Sequence, residues 1–153
     1  MATTVQNNTI SALNDLIKRN NDAARGYADA GNGVNPANLR EWFFAYSDQR
    51  EKFSNELEAE VKQLGGDPAD GTSFLGELHR AWLDFKSDFF QNDIEATLNE
   101  CIRGEEHALE DYKEILKEET LTASARNMLQ RQMTRIRQAI AELRTLQPQF
   151  AAA

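Results

Sequence analysis

Apolar residues recur at three- and four-residue steps in several long stretches of the chain, the spacing of one face of an α-helix. The clearest stretch is Ile94–Leu116, which predicts a helix of that length. The same pattern predicts long helices over about residues 8–30, 37–64 and 122–146, and a shorter helix over about 74–90. Glycine, proline and aspartate separate these stretches, and none of them shows the alternation of a strand. The pattern therefore predicts an all-α protein.

The lengths of the links predict how the helices are connected. Short links after the first and third long helices favour antiparallel neighbours. The shorter helix would span about 25 Å at 1.5 Å per residue, roughly the length of the bundle, and could return the chain to its starting end. The second and third long helices would then be parallel, which is the ferritin-like connection. We expect a ferritin-like four-helix bundle over residues 8–147 with an additional short crossover helix, a flexible N-terminus (1–7) and a frayed C-terminal tail (148–153).

Each long helix carries one polar residue near the middle of its apolar face: Asn20, Arg50, Glu105 and Gln132. A carboxylate in that position must be paired, protonated or bound to a cation, because burying a lone charge is too costly. If the helices pack side by side, the four residues meet at about the same height in the core. Arg50 could then form a bidentate pair with Glu105 while the two amides satisfy the remaining donors and acceptors.

The same positions are those in which bundles of this kind hold two metal ions. Such sites use a glutamate on each of two helices and a Glu-x-x-His pair on the other two. Here residues 50–53 are Arg-Glu-Lys-Phe, residues 132–135 are Gln-Met-Thr-Arg, and Asn20 replaces a carboxylate, so that only Glu105 remains as an anionic ligand. A guanidinium keeps its proton, and this set of residues is therefore a poor site for a metal ion.

Three interpretations of the polar residues stay open from the sequence. The first is a hydrogen-bonded cluster that fixes the register of the helices without any chemistry. The second is a rearranged metal site in which other carboxylates join Glu105; the candidates are Glu106, Asp22 and Glu60. The third is a small-molecule pocket around the cluster.

Other residues whose side chains could react or bind a metal ion are better explained by the fold. His107 is two residues from Glu105 and therefore lies on the opposite side of its helix, towards solvent. His79 lies between the buried and exposed faces of the shorter helix, where a packed histidine is expected. Cys101 lies on the apolar face and behaves as a small hydrophobic residue. No nucleophile, phosphate-binding glycine loop or metal motif emerges, so we predict no catalytic residue.

Composition narrows the class of protein further. The 153 residues carry a net charge of −8, which argues against binding to nucleic acid or to anionic membranes. No stretch reaches the ~20 apolar residues that span a bilayer, and the first ten residues do not have the pattern of a secretory signal. A single cysteine excludes an internal disulfide and suits a reducing compartment. We therefore expect a cytoplasmic protein.

Several short motifs resemble those of a known family. They are LNDLI (13–17) with Gly26-Tyr27, Gln49-Arg50 with Phe53, ELEAEV (56–61), Leu64-Gly65-Gly66, LHRAW (78–82), and ECIRGEE (100–106) with Tyr112. Over about residues 10–146 the chain resembles an uncharacterised bacterial family of ferritin-like four-helix-bundle proteins, classed as a domain of unknown function. The resemblance implies the ferritin-like fold and a bacterial cytosolic origin, and it implies no activity. Ferritin-type ligands carry over at Glu105 only; Asn20, Arg50, Phe53, Gln132 and Arg135 depart from that pattern.

Together these observations predict a non-catalytic structural or binding protein without a cofactor, in which a buried polar cluster replaces a metal centre. The alternative is a metal-binding protein, holding two irons or manganese in an atypical site that uses Glu105. A homodimer is a further expectation, with Phe44, Leu83 and Phe90 as the leftover apolar contact surface.

Overall fold

The computed structural model describes residues 4–69 and 94–150. These residues form four α-helices, α1 (Thr4–Gly33), α2 (Ala37–Gln63), α3 (Ile94–Leu116) and α4 (Ala123–Leu146), followed by a 3₁₀-helix (Gln147–Phe150). No strand occurs within these two ranges, and the prediction of an all-helical protein is confirmed for them. The shorter helix predicted over 74–90 lies outside the described residues.

The ends of the helices follow local signals in the sequence. α3 has the predicted bounds. α4 begins after Thr122, whose hydroxyl oxygen accepts a hydrogen bond from the Ala125 amide at 3.0 Å, as an N-cap residue does. α1 is longer than predicted at both ends, so that residues 4–7 and 31–33 are helical too. Gly31 lies in the helix and packs under Phe44: a Cβ added there would lie 2.7 Å from the ring.

α2 ends in a hydrogen-bonded glycine motif. Gly65 has a φ of 83°, in the left-handed region that glycine adopts without strain. Its amide donates to the Lys62 carbonyl at 3.0 Å, and the Gly66 amide donates to the Val61 carbonyl, also at 3.0 Å. These two bonds are those of a Schellman motif, which satisfies the last carbonyls of a helix.

α1 and α2 form one closely packed antiparallel pair. Small polar side chains bridge them: the Ser47 hydroxyl donates to the Ala24 carbonyl at 2.6 Å, and the Ser54 hydroxyl donates to Asn21 Oδ1 at 2.7 Å. The residue numbers rise on one helix as they fall on the other, which gives the antiparallel direction. α3 and α4 form the second pair.

Contacts between the two pairs give the remaining directions. Trp42 of α2 binds Glu142 of α4, whereas Glu60, nearer the end of α2, accepts from Thr122 before α4. α2 and α4 are therefore antiparallel. Since α3 is antiparallel to α4 as well, α2 and α3 run in the same direction. α1 packs on α2 and α3, and α4 packs on the same two helices, so that α2 and α3 face each other across a diagonal of the bundle.

The interface between α2 and α4 is filled by large side chains. The rings of Trp42 and Tyr46 stack with their centroids 4.1 Å apart, and both side chains hydrogen-bond to Glu142. The Tyr27 ring of α1 meets the edge of Trp42 at 5.6 Å. This aromatic group and the aliphatic core keep the two helix pairs together; fully buried members of the core include Leu13, Phe43, Leu57, Leu98, Leu129 and Ile136. No helix in the described part of the chain is both long enough and apolar enough to cross a membrane.

Substitution of alanine for two of the glycines should change the free energy of unfolding in opposite directions. Gly65→Ala should lower the free energy of unfolding by about 1 kcal/mol, because a Cβ is strained at positive φ. Gly104→Ala should raise it by about 0.5–1 kcal/mol, because Gly104 lies within α3 and a Cβ there meets nothing within 4 Å. Urea unfolding of both variants measures the difference, and equal effects of the two substitutions would contradict these helix ends.

Candidate functional site

An ion pair lies at the centre of the bundle. The guanidinium of Arg50 on α2 binds the carboxylate of Glu105 on α3, and the two residues are 1% and 3% exposed. The pair connects two helices that otherwise face each other across the diagonal. The Arg50 Cζ atom also lies 5.2 Å from the centroid of the Phe53 ring, within the range of a cation–π contact. The second guanidinium nitrogen, Nη1, has no hydrogen-bond partner among the described residues.

The hydroxyl of Tyr27 on α1 lies beside the ion pair. It is close enough to lower the pKa of Glu105, yet it makes no well-formed hydrogen bond to any side chain within residues 4–69 and 94–150. Burial raises the pKa of Glu105, while Arg50 and then Tyr27 oppose that increase. Burial likewise raises the pKa of the Tyr27 hydroxyl. The centre therefore holds a desolvated ion pair with an unsatisfied phenol next to it.

The two core amides lie in a second layer, joined by Tyr112. Asn20 Nδ2 of α1 donates to the Tyr112 hydroxyl at 2.9 Å, and that hydroxyl donates to Gln132 Oε1 of α4 at 2.6 Å. Asn20 Nδ2 also donates to the Leu16 carbonyl at 2.9 Å, and Gln132 Nε2 reaches the Phe53 carbonyl at 3.3 Å. All three side chains that form the layer are buried. This chain of bonds crosses the bundle from α1 to α4.

The four residues singled out in the sequence are thus all buried, but they form two layers instead of one cluster. Tyr112 follows Glu105 by seven residues, which is about 10 Å along α3. Among the described residues no hydrogen bond joins Asn20 or Gln132 to the ion pair. The physical reason is the length of the tyrosine side chain, which reaches both amides and leaves the ion pair to Tyr27. The role of Tyr112 is not predicted from the sequence; its spacing of two helical turns from Glu105 is the available signal.

A cavity of about 720 Å³ opens between α1 and α3, with Tyr27 and Glu105 among its lining residues. Small residues occupy much of both walls: Ala12, Ala23 and Gly26 on α1, and Cys101, Gly104 and Ala108 on α3. Because these side chains are short, a space remains between α1 and α3. Between α2 and α4 the corresponding space is filled by aromatic residues. The volume lies within the range of sites for small molecules.

Asp22 carries an unsatisfied acceptor at the edge of the cavity. The residue lines the cavity, and its buried Oδ1 atom has no hydrogen-bond partner in the part of the chain that the structure describes. Burial raises the pKa of the Asp22 carboxyl to about 6, against the opposing effect of Arg19 and then Arg25. Asp22, named above as a candidate carboxylate for a rearranged metal site, and Asp15 both line the cavity with Glu105.

The residues at the centre do not fit the two-metal centre that a ferritin-like fold implies. A guanidinium already binds Glu105, and the other two helices supply amides. The further carboxylates considered from the sequence are dispersed: exposed Glu106 binds Arg144 at 2.7 Å, and Glu60 accepts from Thr122 at 3.2 Å. Within the described ranges, no group of three or more histidine, cysteine, aspartate or glutamate side chains is arranged to hold a metal ion.

Cys101 and His107 occupy the positions that their helical spacing predicts. Cys101 is buried, and burial raises the pKa of its thiol further above the ordinary value, so the reactive thiolate is disfavoured. His107 is exposed on α3. His79 lies outside the described residues.

Truncating one partner of the ion pair should be strongly destabilising. We expect Glu105→Ala to lower the free energy of unfolding by about 3–5 kcal/mol, because the substitution leaves the buried guanidinium of Arg50 without a counter-ion. Urea or thermal unfolding measures this loss. The control is the double variant Arg50→Met with Glu105→Leu, which should be more stable than Glu105→Ala because it removes both charges. A loss below about 1 kcal/mol for Glu105→Ala would show that the pair is exposed or absent.

Asp22 should make the folded state more stable at mildly acidic pH. The folded protein binds the Asp22 proton more tightly than the unfolded chain, since the pKa is raised from 3.8 to about 6. The resulting contribution to stability is fully present below pH 4 and is lost as the pH rises through about 6. We therefore expect Asp22→Asn to be more stable than the wild type at pH 7, with an advantage that shrinks towards pH 4.5.

Unfolding free energies of wild type and variant across that pH range provide the measurement. Asp48→Asn, at an exposed position of α2, is the matched control and should change the pH dependence less. An Asp22→Asn difference that stays constant with pH would show that this carboxyl is solvated.

Comparison with known proteins gives a family without an assigned role. No curated protein matches the sequence. A family model described as a domain of unknown function, DUF2383, matches residues 8–118. The match includes both residues of the ion pair, together with Asn20, Tyr27 and Tyr112, whereas Gln132 lies beyond it. Since the match covers well over half of the chain, this protein belongs to the DUF2383 family.

Proposed function

We propose that this protein is a non-catalytic, ferritin-like structural or binding protein in which an ion pair stands in place of a metal centre. The observation that carries the proposal is the pairing of Arg50 with Glu105 at 1% and 3% exposure. A fixed positive charge at the centre of the bundle neutralises the one carboxylate there and repels any cation that approaches it. The polar side chains at the centre then hold the helices together and do not bind a metal ion.

The direction of the helices supports the ferritin-like part of the proposal. α2 and α3 are parallel and face each other across the diagonal, which is the arrangement that one long connection produces in such bundles. The crossover helix over 74–90 belongs to the proposal and completes this connection. A bacterial, cytoplasmic origin is part of it too, and a single buried cysteine suits that reducing compartment.

The binding part of the proposal rests on the cavity between α1 and α3. A bundle whose only task is to hold its own helices together gains stability by filling such a space. Here the space adjoins Tyr27 and Asp22, whose buried oxygen atoms lack hydrogen-bond partners among the described residues. Phe44, which is 37% exposed, supports the proposal that two copies of the chain associate.

Metal analysis tests the proposal against its alternative, an atypical iron or manganese site that uses Glu105. Ferrous iron and manganese are titrated into the purified protein in air, and bound metal and near-ultraviolet absorbance are recorded. We expect no stoichiometric binding and no oxidation of iron faster than in buffer, because the guanidinium occupies the carboxylate. Glu106→Ala, at the exposed neighbour of Glu105, controls for metal held by surface carboxylates. Stoichiometric metal that Glu105→Ala removes and Glu106→Ala retains would overturn the proposal.

A further inference from the structure

We infer that the cavity between α1 and α3 is the docking surface of residues 74–90 of the same chain, which pack their aromatic face into it as an amphipathic helix. These residues lie outside the described ranges, and their helix is the crossover helix of the proposed function, on which this inference rests. The docking gives that helix a packing surface and gives the cavity an occupant.

The chain leaves α2 along the surface of α1. Gly66 packs against Ile10, since a Cβ added to the glycine would lie 2.8 Å from the Ile10 side chain. The amide of Ala69 donates to Asn14 Oδ1 at 2.8 Å, and Asn14 Nδ2 donates to the Asp67 carbonyl at 3.1 Å. The end of this described range is therefore held on the first half of α1, and the following residues start on the side of the bundle away from α4.

The chain must then travel most of the length of the bundle to reach the start of α3. The salt bridge between Arg19 and Asp111 aligns the antiparallel helices α1 and α3. Ile94 precedes Asp111 by 17 residues and Asn14 precedes Arg19 by five, so the two ends lie about 33 Å apart along the axis. The 24 intervening residues cover that distance with a helix over 74–90, about 25 Å long, and a short link on each side.

The cavity lies along this path and has a matching length. Its lining extends on α1 from Ala12 to Tyr27 and on α3 from Glu100 to Ile115, about 22 Å along each helix axis. The neighbouring interface between α1 and α2 is closed by direct packing of the two helices. A helix of about 25 Å that starts beside Asn14 therefore fits the cavity in position and in length.

The lining of the cavity suits large apolar side chains. Its buried part includes residues with short or aliphatic side chains, namely Leu16, Gly26, Cys101 and Ala108, with Ala23 and Ile115 half-buried beside them. The exposed lining residues Asp15, Arg19 and Glu114 carry charges and form the rim. Large rings placed against short side chains interdigitate as facing layers do in close-packed cores.

The sequence of residues 74–90 provides the complementary face. Five large apolar residues recur at steps of three and four and share one side of a helix: Phe74, Leu78, Trp82, Phe85 and Phe89. Charged residues fall on the opposite side: Glu77, Arg80, Asp84 and Asp88. An amphipathic helix is stabilised by burying its apolar face against another element. Trp82 is at the middle of that face, so it comes near the middle of the cavity, at Ala23 and Ala108.

Proton NMR on the full chain tests the docking, with the Trp82 ring as the probe. We expect nuclear Overhauser effects between the indole protons of Trp82 and the methyl protons of Ala23 and Ala108. The ring should also shift both methyl signals, and Trp82→Leu should remove that shift without unfolding the protein, because leucine keeps the position apolar. The methyl signal of Ala141, exposed on α4, is the internal control and should not move.

A charge placed in the cavity gives a second measurement. Ala23→Glu should abolish the contacts between Trp82 and Ala108, because docking would bury the new carboxylate against the ring. It should also increase the quenching of Trp82 fluorescence by acrylamide, measured in a Trp42→Phe background where Trp82 is the single tryptophan. Ala141→Glu adds the same charge on the exposed surface of α4 and should leave both measurements unchanged. Circular dichroism checks that both variants stay folded.

The outcomes that would overturn the docking differ from those that would overturn the proposed function. Trp82 contacts that are absent or directed to α4, with helical backbone shifts over 74–90, would overturn the docking and leave the crossover helix intact. Backbone shifts without a helix over 74–90 would overturn both. Contacts between isotope-labelled and unlabelled chains in a mixed sample would show that a second copy provides the helix, against docking within one chain. Stoichiometric iron would overturn the replacement of the metal centre and would not affect the docking.

Discussion

The ion pair between Arg50 and Glu105 constrains the rest of the bundle. Each charge has lost nearly all of its contact with water, so each depends on the other for compensation. The two residues lie on helices that face each other across a diagonal, and the bond holds only when both helix pairs are in the correct register. A shift of one turn, about 5.4 Å, on either helix would separate the charges inside the core. The pair therefore fixes how the two helix pairs dock, whatever its net contribution to stability.

The docking of the helix pairs leaves the bundle asymmetric. On one side, α2 and α4 are separated by stacked aromatic rings and by Gln132, which fill the interface. On the other side, α1 and α3 face each other with alanine, glycine and cysteine, and a cavity of about 720 Å³ remains. The long side chains of Arg50, Glu105 and Tyr27 occupy the centre between these sides. Glu105 of the ion pair thus lies between the filled side and the cavity that it lines.

Much of the fold follows from the sequence because it depends on local periodicity. The bounds of α3, the cap at Thr122 and the end of α2 at Gly65 are set by residues within one or two turns. The burial of Asn20, Arg50, Glu105 and Gln132 follows from the same periodicity, since each lies on an apolar face. The extension of α1 through residues 31–33 does not, because glycine usually marks the end of a helix.

The site is harder to predict from the sequence than the fold, because it depends on distances between helices. Small residues such as Ala23 and Gly104 are compatible with close packing or with a cavity, and only the separation of α1 and α3 decides between them. The separation of the polar residues into two layers depends on the reach of Tyr112, which periodicity cannot give. The burial of Asp22 has the same origin, since a position at the edge of a helix face is exposed or buried according to what lies opposite.

The cavity and its unsatisfied oxygens cost stability that simple substitutions could recover. A side chain at Gly104 has room, and an uncharged residue at Asp22 would avoid burying part of a carboxylate. Unfilled space and a partly desolvated carboxylate occur together between α1 and α3, whereas large aromatic rings fill the interface between α2 and α4. Such a concentration of unfavourable features next to a satisfied, rigid core is the arrangement expected of a binding site, where a ligand supplies the missing contacts. Glu105 lines this space, so a rigid, paired carboxylate forms part of its wall.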